Sequence, residues 1–141
     1  MEHSSPAIIL HVNENLRKII KASKLVLHNE VFIYAKVKSI PQIDNHFFIS
    51  KDSDEITVIT KKENISKLDL LEKSSDERSL IEIQFSDSTE DSVGFLAAVS
   101  SALAEQGISI SVISTFSKDY LIINKEDEKK TIQSLKQLGF E

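Results

Sequence analysis

The chain has no cysteine, no tryptophan, one methionine, two prolines and only three glycines in 141 residues. Without cysteine, disulfides and thiolate catalysis are excluded. No apolar run reaches the roughly 18 residues that a membrane-spanning helix needs. The opening stretch, MEHSSPAIILHVNENL, lacks a basic n-region and carries only a brief apolar run, so it is a poor signal peptide. The cytoplasm is the expected location. Catalytic signatures are missing too: there is no phosphate-binding Walker loop, no dinucleotide-binding glycine fingerprint and no nucleophile elbow. Serines are plentiful, yet none lies beside a recognisable base. The histidines, His3, His11, His28 and His46, show no paired metal spacing, and Asp44 with His46 is a single pair where a metal needs three or four ligands. The expectation is a protein that is not an enzyme and carries no metal and no cofactor.

What is present is the balance of a globular protein, 40% hydrophobic and 28% charged. Charge is uneven. Residues 1–75 hold 11 basic against 10 acidic side chains, whereas residues 76–141 hold 6 against 12. An acidic half repels phosphate backbones, so nucleic acid is not an expected partner. The one basic cluster, Arg17, Lys18, Lys21 and Lys24, reads as a solvated helix face.

Hydrophobic periods divide the chain. Lys73–Ser79 is polar and aperiodic and marks a linker. Beyond it, Leu80–Phe85 alternates as a half-buried strand, with Ile81, Ile83 and Phe85 on one face. Val93, Leu96, Val99 and Leu103 recur at helical spacing over Ser92–Gln106, and Gly107 stands where a left-handed cap is wanted. Ile108, Ile110 and Val112 alternate in a second strand, Tyr120–Ile123 gives a third, and Asp127–Leu138 a helix that stops before Gly139. Strand, helix, strand, strand, helix is a split βαβ pattern, ferredoxin-like, with its last strand missing. An open sheet edge is seldom left uncovered, so that strand is expected from the N-terminal half or from a second copy. In the first half, Asn13 caps a short helix with Leu16, Ile19 and Ile20. Lys24–Leu27 and Val31–Val37 read as two strands joined at His28–Asn29. Phe47–Ser50 and Glu55–Ile59 read as a hairpin turning through Lys51–Asp54.

The segment from Asp91 to Ile123 brings a helix N-terminus near the tip of a hairpin. Main-chain N–H groups in a first helical turn lack intrahelical partners, so a carboxylate placed there gains hydrogen bonds and favourable charge. Gly94 is read as part of that first turn, where close backbone approach by a ligand or a strand would offset its poor helix propensity. An ammonium needs an acceptor, and Asp119 at the exit of the Ser117–Lys118 turn is the first choice, helped by carbonyls around Ile113–Ser114. A turn-capping aspartate is the plainer role for it. Ser114 and Thr115 either bond the ligand or face solvent. Asp87, Glu90 and Asp91 either favour a cationic ligand side chain or serve only as first-turn acids. Phe116 falls in phase with Ile108, Ile110 and Val112, which predicts core or interface packing.

Three passages resemble the ACT-domain family, and within it small tandem-ACT proteins related to the arginine sensors of the TOR pathway. VGFLAAVSSALAEQGISISVISTFSKDYLII at residues 93–123 is similar to the core of an ACT unit. FFISKDSDEITVI at 47–59 and SKLVLHNEVFIYAKV at 23–37 are similar to parts of a preceding unit. The resemblance implies an α+β fold of tandem ACT-like, ferredoxin-like βαββαβ units with side-by-side antiparallel sheets, the first unit abbreviated. It divides the chain into an N-terminal extension (1–22), a first unit (23–75) and a second ACT domain (79–141). It also implies a regulatory protein that binds an amino acid, works as a homo-oligomer such as a homodimer, and signals to a regulated protein partner without nucleic acid or membrane. The ligand-binding set is Asp91, Ser92, Val93, Gly94, Ile113, Ser114, Thr115 and Asp119. The loop Ser86–Asp91 departs from the family in being acidic where relatives are richer in Gly, Pro and Phe. The competing reading is a ligand-free dimerisation or docking module that uses the same edges.

Overall fold

The computed structural model describes residues 12–42, 47–85 and 92–141. The first described element is helix α1 (Glu14–Ala22), capped by Asn13, whose side chain accepts from the Leu16 N–H at 2.8 Å. It buries Leu16 and Ile20, while Arg17, Lys18 and Lys21 stay exposed, as does Lys24 just beyond it. Ser23 then turns the chain directly into strand β1 (Lys24–Val37).

This strand is the main departure from the expected pattern. Two strands were expected with a break at His28–Asn29; one 14-residue strand is found, with a register shift between His28 and Phe32. Its first half, Lys24–His28, pairs antiparallel with β5 (Arg78–Gln84). Its second half pairs on one side with β3 (Ile56–Lys61) and on the other with β4 (Leu70–Lys73). Strand β2 (Phe48–Lys51) completes that end as the partner of β3. The β2–β3 turn is closed by the Asp52 carboxylate, which accepts from the N–H groups of Asp54 and Glu55. Strand β4, and a 3-10 turn at Lys62–Lys67 before it, were not anticipated.

The second half follows its periods closely. After β5 come α2 (Phe95–Glu105), β6 (Ile110–Ser114), β7 (Lys118–Asn124) and α3 (Glu128–Leu138), with Gly139 as the C-cap of α3. The full sheet runs β2-β3-β1-β5-β7-β6. The second unit is therefore a ferredoxin-like sheet, β1-β5-β7-β6, whose absent fourth strand is supplied by the first half of β1. The first unit, β4-β1-β3-β2, has the same order but, among the described residues, no helix after β1 and only a 3-10 turn after β3. The fold is α+β, with ACT-like, ferredoxin-like units on one antiparallel sheet.

Alternation assigns the two faces. Leu25, Leu27, Ile81, Ile83, Leu121 and Ile123 meet Leu16, Ile20, Val99, Leu103 and Leu135 in the main core, so all three helices cover one face. On the other face Phe32, Ile59, Leu80 and Ile122 pack with Phe47 and Tyr120, whose ring centroids lie 4.6 Å apart. Helix α1, which the sequence places in an extension, is thus part of the second unit's core. Replacing Leu16 with Ala should destabilise the protein by about 2–5 kcal/mol, as for other buried leucines. The urea midpoint should fall with an unchanged m-value; a shift below 0.5 kcal/mol would mean that α1 is not held in the core.

Candidate functional site

Strand β5 delivers the chain to Phe85, and helix α2 begins at Phe95. Gly94 is not inside the first turn, as expected, but is the N-cap residue, with φ +91°. That left-handed conformation is what selects glycine here. Space does not, since a Cβ would meet Leu16 Cδ2 at an ordinary 3.6 Å. No side chain caps the helix. The Phe95 N–H donates to the Ser92 carbonyl at 2.9 Å and the Ala98 N–H to the Gly94 carbonyl at 2.9 Å. The N–H groups of Leu96 and Ala97 take no partner among the described residues. These are the donors of a first turn left free for an anion.

Opposite them stands the turn between β6 and β7. Ser114 and Asp119 face each other across the strands, and the Ser114 hydroxyl donates to Asp119 Oδ1 at 2.7 Å. Thr115 anchors the turn through its N–H, 2.8 Å from the Lys118 carbonyl, and its hydroxyl, 3.3 Å from the same oxygen. Only one carboxylate oxygen of Asp119 is engaged by Ser114, so the group keeps acceptor capacity.

Between the helix start and the turn lies a cavity of about 480 Å³. Leu96 and Ala97 line it from the helix start and Asp119 from the turn, and Phe85 and Phe95, whose ring centroids are 4.9 Å apart, are also in its lining. Such a space can hold a zwitterion with its two charges oppositely satisfied.

Of the residues singled out from sequence, Ser92, Gly94, Ser114, Thr115 and Asp119 line this cavity. Val93 does not; it is 88% exposed. The Ile113 side chain packs on the opposite face of the sheet, with the cluster around Phe32 and Ile122. Asp91 lies outside the described residues, as do Asp87, Glu90, Asp44 and His46. Sequence reasoning missed the lining by Phe85, Phe95, Leu96, Ala97 and Lys118. Starting the helix at Phe95 instead of Ser92 would have found Leu96 and Ala97, which sit two and three residues beyond the N-cap Gly94. Phe116, expected in a core or interface, is fully exposed on the turn and lines the cavity mouth. Its alternation with Val112 carries no packing meaning because β6 ends at Ser114.

Behind the turn, on the helix-free face, Glu82 is buried at 6% exposure. Its Oε1 lies 2.9 Å from His28 Nε2, its Oε2 accepts from Gln84, and the Lys118 ammonium is 3.8 Å away. Burial pushes the Glu82 pKa up, but the hydrogen bonds from Gln84 and His28 and the charge of Lys118 outweigh it, leaving the group below its ordinary 4.5. A carboxylate with a depressed folded-state pKa stabilises the fold above its unfolded pKa and loses that contribution as pH falls through the folded value. Wild type should therefore exceed Glu82→Gln in urea midpoint at neutral pH, with the gap closing as pH drops below 4.5. A gap that stays constant through acidification would show that the charge of Glu82 contributes nothing.

Residues 73–137 match the ACT domain family. Among solved structures, the chain is similar to a Vibrio cholerae protein of unknown function, at 21% identity and a TM-score of 0.73, covering 89% of this chain and 97% of that one. It is also similar to an Agrobacterium tumefaciens protein at 26% identity and a TM-score of 0.62, covering 84% and 90%. The regulatory subunit of aspartate kinase from Thermus thermophilus, in its ligand-free form, has the same fold at 13% identity and a TM-score of 0.59, covering 83% and 96%. No curated protein matches the sequence.

Proposed function

We propose that this protein is an amino-acid-binding regulator whose ligand sits between the start of α2 and the β6–β7 turn. The observation that carries the reading is the cavity itself, lined by Leu96 and Ala97, whose N–H groups take no partner among the described residues, and by Asp119. The ligand carboxylate takes the helix N-terminus, as anions do. Its ammonium takes Asp119, displacing or sharing the Ser114 hydroxyl. Ser92 and Thr115 line the same space, and the proposed set keeps Asp91, Val93 and Ile113 from the sequence reading. No bond is made or broken in this scheme. The ACT match over 73–137 and a fold shared with aspartate kinase regulatory domains support it.

The two-unit division at 23–75 and 79–141 is part of the proposal, with β1 lending its first half to the second unit. So is the kinship to the TOR-pathway arginine sensors, which makes arginine the first ligand to try. We further propose a cytoplasmic homo-oligomer that reports ligand level to a protein partner. Coupling would run both ways, since a partner that favours the occupied form also tightens ligand binding.

The docking-module alternative has its own support. Val93, Leu96 and Phe116 are exposed apolar residues, the last two at the cavity mouth, and β6 is a sheet edge.

A thermal-shift screen of the twenty amino acids separates the two readings. A native-state ligand at 100 times its Kd adds about 2.7 kcal/mol. The shift should appear for at least one amino acid, vanish in Asp119→Ala and persist in Asp76→Ala. If no amino acid shifts the transition and light scattering finds a dimer that resists dilution, the docking module is the better description.

A further inference from the structure

The helix-free face of the second unit carries a charged group that the ligand scheme does not use. Glu82, at the middle of β5, is held between two neighbouring strands: His28 of β1 at 2.9 Å and Lys118 of β7 at 3.8 Å. Both ends of this chain of contacts matter. His28 is the last residue of β1 in register with β5 before the shift that leads into the first unit. Lys118 is the first residue of β7, and its carbonyl receives both hydrogen bonds by which Thr115 anchors the cavity turn.

We propose that His28, Glu82 and Lys118 form a proton-operated latch, in which protonation of His28 draws the Glu82 charge to β1 and releases Lys118 together with the turn that carries Asp119. His28 holds Oε1 of this one buried carboxylate and Lys118 lies by Oε2, so its charge is shared between the two groups. With a neutral imidazole, Nε2–H gives Glu82 a dipolar bond, and the Lys118 ammonium is the cation that balances its charge. With an imidazolium, a charge-assisted hydrogen bond at 2.9 Å replaces that arrangement. Lys118 sits at 3.8 Å, beyond good hydrogen-bond length, and its side chain is 40% exposed, so water can take it over.

The charged and titratable groups facing the imidazole are few among the described residues. Glu30, on β1 itself, has Oε1 3.9 Å from Nδ1. From β5 there is Glu82, and from β7 there are Tyr120, with ring centroids 6.4 Å apart, and Lys118 behind Glu82. Glu82 accepts from Nε2, whereas Glu30, 3.9 Å from Nδ1, is a charged neighbour beyond hydrogen-bond length. The consequence for ligand rests on the amino-acid reading: if that holds, affinity at the cavity varies with the charge of His28.

The test needs no ligand, so its failure is distinct from failure of the sensor reading. Two-dimensional NMR of the full chain is followed in steps between about pH 5 and 8. The latch requires the His28 ring signals and the backbone amides of Thr115, Lys118 and Asp119 to change with one shared midpoint. The amide changes should disappear in His28→Gln, and in Glu82→Gln the ring should titrate without them. Should Glu82→Gln fail to fold, Lys118→Met serves the same end: the His28 ring still titrates while the Thr115 and Asp119 amides no longer follow it. Wild-type amides at Lys118 and Asp119 that ignore the His28 midpoint overturn the proposal, and so does a shared midpoint that survives Lys118→Met.

Discussion

The pairing of Lys24–His28 with β5 is the contact on which the rest of the structure depends. A β5-α2-β6-β7-α3 arrangement taken alone leaves one side of β5 open, exposing a row of main-chain donors and acceptors. The first half of β1 fills that place, and because its second half belongs to the other unit, one strand joins both. The register shift after His28 is where the strand passes from one set of partners to the next. Residues 29 and 30 are exposed there, as a local break in the ladder allows.

The same pairing positions the candidate site. Helix α1 precedes β1 with only Ser23 between them, so fixing β1 against β5 lays α1 across the helical layer. Leu16 then comes within contact distance of the α2 N-cap, and Ile20 lies beside Gly139 at the end of α3. The start of α2 is thus held by packing and by the left-handed Gly94, with no side-chain cap among the described residues. The Leu96 and Ala97 N–H groups take no partner among those residues. A capping serine or aspartate would have satisfied one of them and removed the feature that suits an anion.

Much of the second half was legible in sequence because its elements are both periodic and amphipathic. The expected strand Leu80–Phe85 and helix Ser92–Gln106 differ from the observed β5 and α2 by one to three residues at their ends. The first half was harder for identifiable reasons. His28 and Asn29 look like a turn because they are polar, yet His28 is accommodated within the strand by Glu82 on the neighbouring one. Strand β4 is four residues long and mostly exposed, with no alternation strong enough to detect. For the site, Asp119 and Ser114 were accessible through the short turn, whereas Phe85, Leu96 and Lys118 needed the helix start to be placed to the residue.

By itself the sequence determined the local periods of the second half: which stretches are strands or helices, which face of each is apolar, and where glycine ends a helix. Those follow from interactions within a few residues along the chain. Tertiary structure alone decided that residues 24–37 form one shared strand, that α1 belongs to the second unit's core, and that Glu82 is enclosed by His28 and Lys118. These depend on contacts between residues distant along the chain, 54 positions apart for His28 and Glu82. Hydrophobic pattern sets which face is buried, but it does not name the strand that will lie alongside.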